Sequence, residues 1–234
     1  MKKIFAILAF LVGAPALAQS LTLQQQIDAA EAAGGGMIIL PCGSFGNNGA
    51  PIAQPSSVII QGSGPCTKIA AVTTKYPGVR TYYQSLRDLQ IDPSLALTRY
   101  IAIDYRNVTQ AFLMNVVVTC PTPADTFQTG LLLAYTSQYG MGINNYICAS
   151  NDAVELYSAA NQNTFVGGKL SGPIGFNIIN SNGNVGVGVS LEQGPAMTFV
   201  NRIGSNSIGT FMLGVRTETS SFGPVWLNGK DGSW

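Results

Sequence analysis

Gln26-Ile-Asp-Ala-Ala-Glu-Ala-Ala-Gly-Gly-Gly-Met-Ile-Ile-Leu-Pro-Cys-Gly-Ser-Phe45 sets a short alanine-rich run against three glycines, then an apolar run that breaks at Pro41. Alanine is the best helix former and consecutive glycines a firm stop, so a helix is expected to end near Gly34. Met37 to Leu40 then reads as the first strand, turned by Pro41 and Gly43. Upstream, Met1-Lys-Lys supplies a positive start, Ile4 to Val12 an apolar stretch and Ala16-Leu-Ala18 a small-x-small cleavage site. This predicts a signal peptide over 1–18, too short and too weakly flanked to anchor in a bilayer. The expected mature chain is one domain over 19–234, secreted or periplasmic.

Downstream, the sequence repeats with a period near 22 residues, the scale of stacked units. One family comprises Thr129-Gly-Leu-Leu-Leu-Ala-Tyr135, Asp152-Ala-Val-Glu-Leu-Tyr-Ser158, Ile174-Gly-Phe-Asn-Ile-Ile-Asn180 and Pro195-Ala-Met-Thr-Phe-Val-Asn201. A second comprises Asn163 to Leu170, Asn184 to Leu191 and Asn206 to Leu213. The gaps between them are too short for the helices that usually connect parallel strands, which leaves stacked coils. Alternation puts Leu131 and Leu133, Val154 and Leu156, Phe176 and Ile178, Met197 and Phe199 inside. Asn163, Asn184 and Asn206 fall in one ladder, Ser158, Asn180 and Asn201 in another; both are expected at turns. Earlier coil segments are expected at Val58–Gly64, Leu86–Ile91, Phe112–Val118 and Ile143–Ile147. Val225-Trp-Leu reads as the start of one more coil.

The helix, Gly-Gly-Gly, hydrophobic strand and Pro-x-Gly-x-Phe order, with Val58-Ile-Ile-Gln-Gly-Ser-Gly64 after it, resembles the N-terminal cap of the pectate-lyase-like proteins. The resemblance covers most of the chain after Ser20, strongly at the cap and by repeat logic elsewhere. It implies an all-β, single-stranded right-handed parallel β-helix of roughly eight coils with a short N-terminal capping helix. It also implies an exported protein that acts on polysaccharide. Fold is a weak guide to activity, however.

Composition narrows the chemistry. Without Lys2 and Lys3 the balance of 12 basic to 11 acidic residues becomes 10 to 11, a poor match for nucleic acid or anionic membrane. Histidine is absent. That removes Ser-His-Asp and Cys-His mechanisms and departs from the Gly-His-Gly motif of the polygalacturonase branch. Four cysteines in an exported chain suggest two disulfides. Cys42–Cys66 and Cys120–Cys148 each span about one coil, and this is the only connectivity that joins no distant coils. A metal site is the alternative, without a C-x-x-C pair to support it.

With Leu170, Leu191 and Leu213 inside, parity places Lys169, Glu192, Arg216 and Glu218 outside on one sheet. In pectate-lyase-like enzymes a basic side chain abstracts the proton beside a uronate carboxylate. Lys169 or Arg216 is the candidate base, with Glu192 or Glu218 as acid or calcium ligand. A solvated ion-pair ladder is the competing reading. No stacked acidic cluster marks a calcium site, and no metal ligand set is assigned. Outward positions of the first family are apolar: Leu132, Ala134, Tyr157, Ile179 and Val200, with Glu155, Asn177 and Thr198 between. Loops or other subunits of a homotrimer, as in tailspikes, are expected to cover them. Tyr157 and Glu155 are candidate sugar contacts. Cleavage of an acidic polysaccharide by β-elimination is the leading expectation, with glycoside hydrolysis behind it. The rival is a non-catalytic polysaccharide-binding or tailspike-like adhesin.

Overall fold

The computed structural model describes residues 21–193, 201–204, 206–218 and 226–227. The expected signal peptide lies outside them. Every strand pair is parallel, and the chain returns to each face once per coil. This is a single-stranded right-handed parallel β-helix with one short N-terminal helix.

Each coil has three faces. The first carries Gly36–Ile39, Val58–Gln61, the leading halves of Ser85–Ile91 and Phe112–Val118, Met141–Ile143, Thr164–Val166, Val185–Val187 and Phe211–Leu213. The second carries Gly43–Phe45, Thr67–Ile69, the trailing halves of the same two long strands, Tyr146–Cys148, Lys169–Gly172, Ser190–Gln193 and Arg216–Glu218. The third is an eight-stranded sheet from Ile52–Gln54 to Trp226–Leu227. Eight strands are separated by seven circuits of the chain.

The helix Leu23–Ala32 starts on a capping box between Thr22 and Gln25 and buries Leu23 and Ile27 over the first coil. The Gln24 side chain bonds both backbone groups of Ala53, at 2.8 and 3.1 Å. It thereby continues the open edge of the third face as a further strand would. Lys75 ties the helix down through Asp28 at 2.9 Å and Glu31 at 2.6 Å.

Inside, Ile103, Leu131, Val154 and Phe176 form one buried column; Tyr105, Leu133, Leu156, Ile178 and Ile203 form another. Each such side chain contributes roughly 1.5–3 kcal/mol on burial. The expected alternation holds for these. Both disulfides join neighbouring coils as expected, Cys42 to Cys66 and Cys120 to Cys148.

The last repeat differs from its expected register. Phe176 pairs with Asn201 and Val185 with Phe211, four residues later than the 22-residue period places them. The extra residues enter between Gln193 and Asn201. The interior position expected for Phe199 therefore belongs to Ile203, while Met197 and Phe199 lie outside the described residues. Asn201 leaves the Ser158–Asn180 ladder, and Thr210 takes the place expected for Asn206 beside Asn184. Leu213 pairs with Val187 and faces outward, exposed. Four is even, so alternation survives the insertion and Arg216 and Glu218 keep their outward register.

The expected strand Ile143–Ile147 is two strands, bent at Asn144 and Asn145 between the first and second faces. Asp88, Asn115 and Asn144 sit at this bend in successive coils with left-handed φ of 50°, 52° and 49°. Their side chains chain together, Asn115 donating to Asp88 at 2.7 Å and Asn144 to Asn115 at 3.0 Å. The apolar stripe expected outside the third face is covered only in part: Leu132, Ala134 and Asn177 are buried, Glu155 and Ile179 are half-buried, and Tyr157 is exposed. Val200 and Thr198 lie outside the described residues.

The uncovered stripe is on the first face. Its two outward columns run Met37, Ile59, Ser85, Phe112, Met141, Thr164, Val185, Phe211 and Ile39, Gln61, Arg87, Met114, Ile143, Val166, Val187, Leu213. Most of these are apolar.

Candidate functional site

The second face turns one long column of side chains outward: Lys68, Gln90, Val117, Tyr146, Lys169, Ser190 and Arg216. Six strand steps of about 4.8 Å make it roughly 29 Å long. The neighbouring outward column holds Asp92, Thr119, Cys148, Ser171, Glu192 and the backbone position of Glu218.

At the upstream end, Lys68, Gln90, Asp92, Thr119, Asp125 and Tyr146 line an open cleft of about 570 Å³. Lys68 reaches Asp92 at 3.4 Å. Burial pushes the Asp92 carboxyl up, but the Ser94 hydroxyl at 2.7 Å, the Ser94 N–H at 2.9 Å and Lys68 outweigh it. The net direction is downward, so Asp92 stays ionised near neutrality. Asp125, on the short turn beyond Cys120, pairs with Arg99 at 2.8 Å. The Cys120–Cys148 bridge anchors that wall to the sheet.

Downstream, Gly167 and Gly168 carry the chain round the bend with φ of 60° and 77°. A Cβ on Gly168 would collide with the Asn145 backbone, and the Lys169 N–H donates to the Asn145 carbonyl at 2.7 Å. This close approach sets where the Lys169 side chain leaves the sheet. Its ammonium pairs with Glu192 and lies 5.4 Å from the centre of the Tyr146 ring, a cation–π contact. Arg216, two strands beyond Lys169, is exposed.

The register thus brings Lys169, Glu192, Arg216 and Glu218 onto three consecutive strands. Tyr157 and Glu155 are elsewhere, on the third face. Tyr157 stands edge-on to Tyr135, centroids 6.4 Å apart. Glu155 is half-buried between Leu132 and Asn177. Burial first, and Asp152 second, push its carboxyl up. Asp104 forms a two-bond pair with Arg106 on the same face. Among the described residues, no three Asp, Glu or Cys side chains converge as a metal ligand set.

Sequence reasoning missed Lys68 and Tyr146. The signal was present: Lys68 to Gln90 spans 22 residues and Tyr146 to Lys169 spans 23, the same repeat carried upstream.

No family model and no curated protein matches the chain. Two solved structures align with 86% of it. The A-module of the Azotobacter vinelandii mannuronan C-5 epimerase AlgE4 does so at 14% identity and TM-score 0.31, over 93% of its own length. The AlgE6 A-module does so at 13% identity and TM-score 0.31, over 91% of its length. The fold assignment rests on the strand pairing above, not on these likenesses.

Proposed function

We propose that the second face binds a linear acidic polysaccharide along the Lys68–Arg216 column. The observation that carries this reading is the column itself: Lys68, Lys169 and Arg216 in one outward file, with Gln90, Tyr146 and Ser190 between them. Cations spaced along a line suit repeating carboxylates, and Tyr146 offers a sugar ring an apolar surface with a polar tip. Two disulfides fit an oxidising compartment, where such polymers are met.

Binding fits better than turnover as the first role. A general base must be free to accept a proton, whereas the Lys169 side chain is engaged in an ion pair with Glu192. The second reading is β-elimination at the downstream end. It is favoured by one specific arrangement, a lysine–glutamate pair with a second cation, Arg216, two strands away. There Arg216 would hold the uronate carboxylate; Glu192 would take the ammonium proton of Lys169, the neutral amine would abstract the proton beside that carboxylate as the neighbouring carbon–oxygen bond breaks, and the protonated Glu192 would return its proton to the leaving sugar oxygen.

Gel retardation on a panel of uronate polymers and neutral glucans tests the first reading. Retention is expected on acidic polymers alone, weakening with salt. Replacing both Lys68 and Lys169 by Ala removes charge-assisted contacts of roughly 1.5–3 kcal/mol each, at least a tenfold loss of affinity. Migration unchanged by every acidic polymer would sink the proposal. Unsaturated uronate products in the same samples, abolished by Arg216→Ala, would establish the second reading.

A further inference from the structure

The first face is an apolar surface that runs the length of the described solenoid. Met37, Ile39, Met141, Val166, Phe211 and Leu213 are each 39 to 69% exposed. At about half of the ~150 Å² that a large side chain can bury, these six alone present roughly 450 Å². The half-exposed apolar residues between them bring the face toward the ~800 Å² that each partner gives to a standard interface. An exposed patch of this size on a flat sheet marks a contact surface. We propose that its occupant is a second copy of this chain, packed antiparallel about a two-fold axis.

Length and charge select that occupant. A flat stripe eight strands long is matched by an object equally long and flat, and the same face of another copy is one. The only charged side chain in its two columns is Arg87, which lies 4.9 Å from the centre of the Phe112 ring. In any parallel packing, two-fold or three-fold, Arg87 would stand beside its own copy, like charge against like charge. In the antiparallel pair it faces the coil of Thr164 and Val166 instead. The same operation sets Met37 and Ile39 against Phe211 and Leu213, and centres the contact between Phe112 and Met141. A two-fold contact uses one patch on both partners and closes, so it leaves no surface for further growth. The polysaccharide column on the second face stays open on both copies.

Sedimentation of the oxidised full chain at micromolar concentration tests this. Twice the chain mass is expected. The double variant Met141→Lys, Val166→Lys should sediment as a monomer with an unchanged circular dichroism spectrum, whereas Lys169→Ala should remain a dimer. A second measurement does not depend on those variants. A mixture of Ile39→Cys and Leu213→Cys proteins should form an intermolecular disulfide that neither forms alone. A monomeric wild type, whatever else covers the face, overturns the proposal. So does self-linkage of Ile39→Cys.

Discussion

Replacing Asn163 by Ala should cost about 4–6 kcal/mol, more than an amide at a turn would suggest. The side chain is buried inside the coil and makes three hydrogen bonds. Its Oδ1 accepts from the Gly140 N–H at 2.9 Å; its Nδ2 donates to the Ser137 carbonyl at 3.3 Å and to Asn184 Oδ1 at 3.1 Å. Three such bonds are worth about 1 kcal/mol each, and stranding the buried Gly140 N–H adds roughly 1–3. Asn184 Oδ1 keeps one donor, the Asn163 N–H at 3.0 Å, so the damage is not shared equally. Urea titration followed by far-UV circular dichroism reads the loss as a lower midpoint at unchanged slope. Asn161→Ala is the control, since its amide accepts the Asn182 N–H at 2.7 Å in an exposed setting where water substitutes. Asn184→Ala combined with Asn163→Ala should cost less than the sum of the two, because they share a bond. A cost at Asn163 no greater than at Asn161 would show that the ladder does not hold the coils together.

Phe176→Ala should cost on the order of 3–5 kcal/mol, since the ring is fully buried and packs 5.3 Å from that of Phe165. Asn177→Ala should cost far less, because that amide oxygen has no partner among the described residues; equal losses in a denaturant titration would mean the strand is out of phase by one residue. Glu155→Gln should raise the melting temperature at pH 7. Burial lifts the Glu155 carboxyl above its unfolded value, so the penalty is absent below about pH 4.3, grows as pH rises, and is complete above the folded value. The gain over wild type should vanish near pH 4; a gain that is the same at both pH values would refute the assigned cause.

The repeat was legible where each coil has the same length. Val154, Phe176 and Leu170 alternate with polar neighbours at a 21- to 23-residue spacing, and the sheet needs no other information. It failed at Leu213 because the number of residues between Gln193 and Asn201 departs from the period, and nothing periodic in the sequence marks the change. The charged group survived that error only because the insertion is even. The upstream coils hid the cleft for another reason. Gln54, Gln84, Thr74 and Thr81 are buried there, and polar residues inside break the apolar alternation a reader looks for. Tyr105 donates to Gln54, and Gln54 to the carbonyls of Val58 and Ser85 at 2.6 and 3.1 Å. Such a network is assembled from distant coils in three dimensions, and no single segment announces it. The exposed first face was unread because outward and inward positions there are both apolar.

The disulfides also decide how the molecule would respond to tension. Both lie upstream of Ala149, one clamping the coils that hold Cys42 and Cys66, the other those that hold Cys120 and Cys148. Beyond Cys148, among the described residues, hydrogen bonds, packed side chains and the Lys169–Glu192 ion pair join one coil to the next without a covalent link. Drawn out from Arg216, the chain would unwind one coil at a time. The 21 residues from Thr164 to Val185 would release about 70 Å of thread at ~3.3–3.6 Å each. At Cys148 the thread would catch on a covalent link, and the part that still grips the cleft around Lys68 and Asp92 would stay wound.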